Sequence, residues 1–287
     1  MALNYYKKEQ NGKLEVGQVL YTKKFVLTVD RELCKGCQLC KLVCPRGAIS
    51  LVPAQSTDGR ALPPLVDVDE SKCDFHGICA VVCPFSAIKI TVNGLDELPA
   101  VQKDVFPTLT RDIAADNAKC KPGCDKCAQS CPLNIISVDT DAGEVDINRE
   151  LCAGCQICWM ECPEDAIEVT KFIEGTIKIN AEECPAGCQN CLDVCPVNAL
   201  GLDSDGKVFA KDMNCIYCGA CLEVCPNEEA LKVTRTAIRH TTVNSGAWHR
   251  GVEKLTSTAG LKRELAAENA GKARAAVKNL KTSEVKV

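Results

Sequence analysis

Short segments in which apolar and polar residues alternate recur along the chain. Examples are FVLTVD, PLVDVD, EVDIN and TIKIN. Alternation with a period of two predicts β-strands that have one buried face. Closely spaced cysteines follow most of these segments, and a Cys-Pro pair then precedes apolar residues such as Ala48 and Ile49, where proline stops a short helix. The predicted repeating unit is therefore a strand, a cysteine loop, a one-turn helix and a second strand.

The chain has 23 cysteines among its 287 residues, and they fall into six groups. The groups are Cys34, Cys37, Cys40 and Cys44; Cys73, Cys79 and Cys83; Cys120, Cys124, Cys127 and Cys131; Cys152, Cys155, Cys158 and Cys162; Cys184, Cys188, Cys191 and Cys195; and Cys215, Cys218, Cys221 and Cys225. The third and fifth groups begin C-x3-C, whereas the fourth and sixth begin C-x2-C. This alternation indicates a duplicated unit of two motifs.

Cysteine at this density indicates either a disulfide framework or bound metal. The odd count and the lack of an apolar signal segment favour metal and a reducing, cytoplasmic location. Aromatic residues make up only 4% of the chain, so we expect bound metal to contribute stability that a sparse apolar core cannot. No stretch approaches the roughly 20 apolar residues of a spanning helix, and we expect no direct membrane insertion.

The spacing C-x2-C-x2-C-x3-C-P is that of bacterial ferredoxins, where three thiolates bind one [4Fe–4S] cluster and the fourth binds its neighbour. Structural zinc sites usually separate two cysteine pairs by a dozen or more residues, which disfavours zinc. Pairing the motifs in order predicts six sites with crossed ligands. They are site 1, Cys34, Cys37, Cys40 and Cys83; site 2, Cys73, Cys79 and Cys44; site 3, Cys120, Cys124, Cys127 and Cys162; site 4, Cys152, Cys155, Cys158 and Cys131; site 5, Cys184, Cys188, Cys191 and Cys225; and site 6, Cys215, Cys218, Cys221 and Cys195.

The expected fold class is α+β, with tandem bacterial-type two-cluster ferredoxin modules and N- and C-terminal extensions. The expected boundaries are 1–24 for the N-terminal extension, 25–93 for module 1, 94–112 for a bridge, 113–172 for module 2, 173–238 for module 3, and 239–287 for a basic, partly helical tail. The tail is either a solvated, frayed segment or a docking element for a partner.

The second motif is irregular because His76 occupies the position expected for its second cysteine. Imidazole in place of thiolate makes a cluster less negative and tends to raise its reduction potential. We therefore expect His76 to complete site 2, with Asp74 as another possible ligand nearby. The alternative is a [3Fe–4S] cluster with His76 as a bystander.

Charge is unevenly distributed along the chain. Residues 239–287 hold ten Lys and Arg against four Glu, a net +6, which leaves −10 upstream. An acidic body argues against nucleic-acid binding.

Lys35, Lys41 and Arg46 lie in the first motif, whereas acidic residues flank the fourth and sixth. Because cations favour a reduced cluster, this pattern predicts the highest reduction potential in module 1.

The motif strings DRELCKGCQLCKLVCPRGAI, KCDFHGICAVVCPFSAI, KCKPGCDKCAQSCP and ELCAGCQICWMECPEDAI resemble the polyferredoxin subunit of archaeal formylmethanofuran dehydrogenase. The resemblance covers approximately residues 25–235. It implies an anaerobic archaeal complex of methanogenesis that reduces CO2 to formylmethanofuran, or the reverse. The subunit would relay electrons between ferredoxin-type donors and a tungsten or molybdenum pterin subunit, beside an amidohydrolase-like subunit. Longer members of that family carry additional motifs.

Two other functions compete with this one. The first is a hydrogenase-associated polyferredoxin, or a free electron carrier or store. The second is an enzyme in its own right, but the chain lacks a G-x-G-x-x-G fingerprint and a recognisable flavin or pterin site. We therefore predict a non-catalytic electron-transfer subunit with about six iron–sulfur clusters.

Overall fold

The computed structural model describes residues 4–54, 59–96 and 98–256. The strands in these ranges are β1 (Asn4–Gln10), β2 (Lys13–Val19), β3 (Lys24–Asp30), β4 (Ile49–Val52), β5 (Leu65–Val68), β6 (Ile88–Val92), β7 (Ile113–Ala115), β8 (Ile136–Asp139), β9 (Glu144–Ile147), β10 (Ile167–Val169), β11 (Ile173–Ile179), β12 (Leu200–Leu202), β13 (Val208–Ala210) and β14 (Leu231–Ile238). The α-helices are α1 (Leu39–Val43), α2 (Ile78–Val81), α3 (Pro99–Gln102), α4 (Lys126–Ser130), α5 (Ile157–Met160), α6 (Asn190–Asp193), α7 (Ala220–Val224) and α8 (Gly246–Leu255).

The same arrangement of two antiparallel strand pairs occurs three times. In each repeat the first strand pairs with the last and the two middle strands form a second pair: β3–β6 with β4–β5, β7–β10 with β8–β9, and β11–β14 with β12–β13. The two one-turn helices of each repeat contact each other, as α1–α2, α4–α5 and α6–α7. This confirms the predicted α+β fold of tandem modules. No helix in the described part of the chain is long and apolar enough to span a bilayer.

Strands β1 and β2 extend the sheet of module 1. The sheet order is β1-β2-β3-β6, and every neighbouring pair is antiparallel. Leu14 and Val16 on β2 are fully buried and lie on the same face of this sheet. Gly17 leaves room for the ring of Tyr6, which occupies the space that a larger residue would need. Residues expected to form a separate N-terminal extension, 1–24, thus include two strands that belong to the module 1 sheet.

The segment expected to bridge modules 1 and 2 packs into the protein. It contains α3, after which Phe106 and Leu109 are buried in the core. Arg111, near its end, donates hydrogen bonds to the backbone carbonyls of Cys83 and Cys152. The bridge therefore holds a cysteine loop of module 1 against one of module 2.

The first part of the expected docking tail returns to module 1. Ser245 caps α8 by accepting a hydrogen bond from the Trp248 backbone N–H. Trp248 is completely buried, and Gly251 allows a close approach to Ile78 on α2. Helix α8 also contacts α1. Its apolar face is thus covered by this chain, while residues 257–287 of the predicted tail lie outside the described residues.

Apolar side chains of the described residues form four core clusters, and cysteines take part in each. The largest cluster combines residues of all three modules with α8. The other three clusters lie within module 1 and its added strands, module 2, and module 3. The three modules therefore share one continuous central core, which includes Leu39, Phe172 and Trp248.

Replacing Trp248 with alanine tests the packing of α8. We expect Trp248→Ala to cost about 3–5 kcal/mol because it empties a fully buried aromatic site. Hydrogen exchange on the iron-loaded protein should show that the amides of α8 lose protection. Arg250→Ala is the control, since Arg250 is exposed on the same helix. Equal protection of α8 in both variants and the wild type would contradict this role of Trp248.

Candidate iron–sulfur sites

The structure brings together cysteines of all six predicted sites, and all 23 are free of disulfide bonds. In each site the cysteine of the partner motif interacts with those of the site's own motif. Electrostatic interactions within the sites link Cys40 with Cys34 and Cys83 in site 1, Cys79 with Cys73 and Cys44 in site 2, Cys127 with Cys124 and Cys162 in site 3, Cys158 with Cys131, Cys152 and Cys155 in site 4, Cys191 with Cys184, Cys188 and Cys225 in site 5, and Cys221 with Cys195, Cys215 and Cys218 in site 6. Neighbouring sites also interact, as Cys40 does with Cys79 and Cys221 with Cys191.

Cysteines of two of these sites line small cavities. The cavity at site 4 is lined by Cys131, Cys152, Cys155 and Cys158. The cavity at site 2 is lined by Cys44, Cys73, His76 and Cys79. In both cavities, one lining cysteine comes from the partner motif and three ligand candidates come from the site's own loop. This is the crossed arrangement that the spacing predicts.

The described residues contain no group of three Cys, His, Asp or Glu side chains placed to hold a single metal ion. The four corners of a [4Fe–4S] cluster are separate iron atoms. A cluster therefore needs its four ligands around a cavity instead of converging on one point. The linings of the site 2 and site 4 cavities fit this requirement.

A repeated turn follows the last cysteine of the first five motifs. The third residue after that cysteine has a left-handed backbone, with φ between 49° and 60°; these residues are Gly47, Ser86, Asn134, Asp165 and Asn198. In four of the motifs the next backbone N–H donates to the cysteine Sγ at 3.2–3.3 Å: Ala48 to Cys44, Ala87 to Cys83, Ala166 to Cys162, and Ala199 to Cys195. Hydrogen bonds to sulfur help to set cluster potentials.

Cysteine spacing alone does not reveal this N–H donor, although the small or polar residue before it is a signal that is visible in the sequence. Gly and Asn tolerate the left-handed region, and Asp and Ser are short polar residues. The sixth motif has one additional residue in this turn, so that Ala230 lies five residues after Cys225 instead of four. There the Cys225 thiol donates to the Asn227 carbonyl at 3.1 Å.

Burial makes the free thiolates unfavourable in these sites. Together with the neighbouring Cys155 thiolate, it raises the pKa of Cys158 to about 12. Burial also raises the pKa of Cys215 to about 12, with Cys218 adding to the effect. Because thiolate is the ligand form, a bound cationic centre supplies the charge that these closely packed sulfurs require. The donor set therefore fits an iron–sulfur cluster.

His76 lines the site 2 cavity together with Cys44, Cys73 and Cys79. Its Nδ1 lies 3.1 Å from Oδ1 of Asp74, while Nε2 is buried and has no hydrogen-bond partner among the described residues. Burial lowers the pKa of His76, and Asp74 opposes this effect. A proton held at Nδ1 by the carboxylate leaves Nε2 with a free lone pair, as in metal-bound histidines. Asp74 thus contacts Nδ1, and Nε2 is the ring nitrogen that remains available as a ligand.

The loop around His76 has the backbone of a cysteine loop. The second and fourth residues after its first cysteine, Phe75 and Gly77, are both left-handed. The same two positions are left-handed in the fourth motif, around Cys155, and in the sixth motif, around Cys218. A left-handed bulky residue such as Phe75 is uncommon and is often found at functional sites. His76 therefore occupies the place that Cys155 and Cys218 have in their loops.

The six sites divide into two sets according to whether their cysteines lie in the central core. The core contains Cys37 and Cys83 of site 1, Cys155 of site 4, and Cys215 and Cys218 of site 6. Electrostatic interaction also links Cys37 directly with Cys218. We call sites 1, 4 and 6 the inner sites, and sites 2, 3 and 5 the outer sites. Each module contributes one inner and one outer site.

Comparison with known protein families identifies 4Fe-4S dicluster domains in this chain. One such domain matches residues 33–87 and again 151–199, and a second type matches residues 176–226. These ranges include cysteines of the first, second, fourth, fifth and sixth motifs.

Several curated proteins share parts of the sequence. Hydrogenase-4 component A of Escherichia coli is 25% identical over 158 residues, which are 51% of this chain and 72% of that protein. Formate hydrogenlyase subunit 2 of Escherichia coli is 38% identical over 119 residues, 39% of this chain and 56% of that protein. Pyruvate synthase subunit PorD of Methanocaldococcus jannaschii is 42% identical over 52 residues, 18% of this chain and 58% of that protein. This chain therefore spans little more than half of the latter two proteins.

One solved structure matches nearly the whole chain. It is a chain of the formate dehydrogenase, heterodisulfide reductase and formylmethanofuran dehydrogenase complex from Methanospirillum hungatei. The two are 31% identical with a TM-score of 0.79, and the match covers 88% of this chain and 91% of the other. Together with the six cysteine sites, this similarity shows that the chain belongs to the polyferredoxin-like family of electron-transfer proteins built from tandem 4Fe-4S dicluster domains.

Proposed function

We propose that the chain conducts electrons through about six iron–sulfur clusters to or from a tungsten or molybdenum pterin formylmethanofuran dehydrogenase. The observation that carries this proposal is the similarity, along most of both chains, to a chain of a complex whose name includes formylmethanofuran dehydrogenase. The subunit itself is non-catalytic. The pterin and amidohydrolase-like subunits perform the chemistry of CO2 reduction or formylmethanofuran oxidation, and ferredoxin-type proteins supply or accept electrons.

The setting of this proposal is an anaerobic, methanogenic archaeon, with the protein in the cytoplasm. The partners are subunits of a large redox complex, without nucleic acid and without direct membrane insertion by this chain. Formate and hydrogen metabolism give the main alternative, since hydrogenase-4 component A and formate hydrogenlyase subunit 2 match parts of the sequence. In that alternative the chain is a hydrogenase-associated or free polyferredoxin.

The residues of the chain bind the clusters, limit their contact with water and adjust the charge around them. The 23 cysteines are the proposed ligands, with His76 as the fourth ligand of site 2. When bound, the clusters supply one-electron redox chemistry. The N–H groups of Ala48, Ala87, Ala166 and Ala199 donate to ligand sulfurs and stabilise their negative charge. The shared core places the inner sites of all three modules beside one another.

Purification of the complex tests the proposed partner. We expect anaerobic affinity purification from the native host to retain pterin-enzyme and amidohydrolase-like subunits. Iron analysis of the isolated chain should give about four iron atoms for each of the six motifs, because each motif supplies most ligands of one cluster. Hydrogenase subunits in place of the pterin enzyme would support the alternative function. A chain isolated with no iron would contradict the electron-transfer role.

Serine substitutions test the crossed ligands. We expect Cys44→Ser to alter the EPR signal of site 2, although Cys44 belongs to the first motif, because it lines the site 2 cavity. Cys79→Ser should alter the same signal. Cys40→Ser is the matched control and should alter the signal of site 1. If Cys44→Ser and Cys40→Ser change one and the same signal, the first motif binds its cluster without crossing.

Substitution of His76 tests its role as a ligand. Pulsed EPR of protein labelled with 15N-histidine should detect nitrogen coupling to one reduced cluster, since His76 lines the site 2 cavity and its buried Nε2 has no hydrogen-bond partner among the described residues. We expect His76→Cys to abolish this coupling, to retain the cluster and to lower its potential, because thiolate adds negative charge. His76→Ala should yield a [3Fe–4S] signal or lose iron. Unchanged iron and spectra in His76→Ala would show that His76 is a bystander.

A further inference from the structure

Three basic side chains lie between the inner sites. The first is Arg111, which connects sites 1 and 4. Its Nη2 donates to the Cys83 carbonyl at 3.1 Å, and its Nη1 donates to the Cys152 carbonyl at 2.7 Å. The guanidinium also stacks over the ring of Phe172, with 5.0 Å to the ring centroid. Arg111 is thus held between one ligand candidate of each site.

The second basic side chain is Lys171, which connects sites 4 and 6. Its Nζ donates to the Cys215 carbonyl at 2.9 Å and to the Asp212 carbonyl at 3.1 Å. It lies 4.9 Å from the ring centroid of Tyr217. Electrostatic interactions connect Lys171 with Cys215 of site 6 and with Cys155 of site 4.

The third is Arg235, which connects sites 6 and 1. Only 6% of its surface is exposed. Its Nε donates to the Tyr217 carbonyl at 2.7 Å, and its Nη2 donates to the Cys218 carbonyl at 3.0 Å. The guanidinium interacts electrostatically with Cys218 and with Cys37 of site 1. With Arg111 and Lys171, it places one cation between every pair of inner sites.

Basic residues beside the outer sites are in a different environment. Lys121 follows Cys120 of site 3, but its side chain is 69% exposed and pairs with Glu164 at 2.6 Å. Arg46 lines the site 2 cavity and is also exposed. Water and salt screen exposed charges strongly, whereas partly or fully buried charges are screened much less. The cations at the inner sites therefore act on nearby charge more strongly.

We propose that Arg111, Lys171 and Arg235 are positioning residues that raise the reduction potentials of the three inner sites above those of outer sites 3 and 5, whose proposed ligands are all cysteines. The inference rests on the proposed cluster sites. On reduction, each [4Fe–4S] cluster gains one electron from a one-electron donor, and its net negative charge increases by one. A cation that is partly or fully buried beside the cluster stabilises this additional charge. Electrons that enter at site 3 or site 5 then collect at the inner sites, and the potentials of the all-cysteine sites follow their position relative to the core instead of their module.

Potentiometric titration of the full iron-loaded chain, with dithionite as reductant and EPR as the readout, tests this inference. Lys171→Met removes the charge and retains an apolar stem over Tyr217. Arg111→Gln and Arg235→Gln are the companion variants. Each variant should lower the potentials of a different pair of the three inner sites, because each cation lies between a different pair of inner sites. The reduction equilibrium of the affected clusters should fall about tenfold, equivalent to about 59 mV.

Two control variants separate charge from structure. Lys121→Gln removes an exposed lysine beside site 3 and should leave the potentials of the three inner sites unchanged. Arg235→Lys retains the charge while losing one of the guanidinium hydrogen bonds, and should restore most of the potential lost in Arg235→Gln. A purely structural role would not give this recovery.

Unchanged potentials in an iron-replete Lys171→Met protein would overturn the inference. Loss of iron from Lys171→Met would also overturn it, because these residues would then hold the modules together without setting potentials. Neither result would affect the proposed electron-transfer function. That function fails only if the wild-type chain itself holds no clusters.

Discussion

Grouping buried sulfur ligands around each site is the constraint on which the rest of this structure depends. The helices that carry the cysteines have four or five residues, far fewer than an isolated helix needs to be stable in water. Several strands have only three or four residues. Cysteines take part in every core cluster of the described residues, where burial disfavours the free thiolate. The proposed metal ligation, which crosses between two motifs, would therefore join elements too short to be stable separately.

The parts of the fold that follow from local spacing could be predicted. Three cysteines within seven residues specify a tight loop, and the crossed fourth ligand follows from the ferredoxin pattern. Because this spacing is local, the sequence also showed that His76 stands at the position of the second cysteine of its motif. That Nε2 is the nitrogen left without a partner could not be predicted, because this depends on the contact between Asp74 and Nδ1 and on the left-handed backbone of Phe75. The position of Asp74, two residues earlier, was visible, but its contact with Nδ1 was not.

Contacts between distant segments could not be predicted in this way. The tail was expected to be solvated or to dock on a partner, yet α8 packs on module 1 through Trp248 and Gly251. The charges near the motifs were assigned to separate modules by their sequence positions. In the structure Lys41 of the first motif lies 3.4 Å from Glu223 of the sixth, so these two charges offset each other. Arg111 and Lys171 donate to carbonyls 41 and 44 residues away, a distance that no local pattern reveals.

The shared core also changes how electrons could pass through the chain. A linear order of sites would make each module depend on the one before it in the sequence. Here each module directs one site towards the core, and Cys37 of module 1 interacts with Cys218 of module 3. A path between outer sites of two different modules therefore crosses two inner sites without necessarily visiting the third module. The environment of the inner sites then acts on every such path, whereas a change at an outer site acts only on paths that begin or end there.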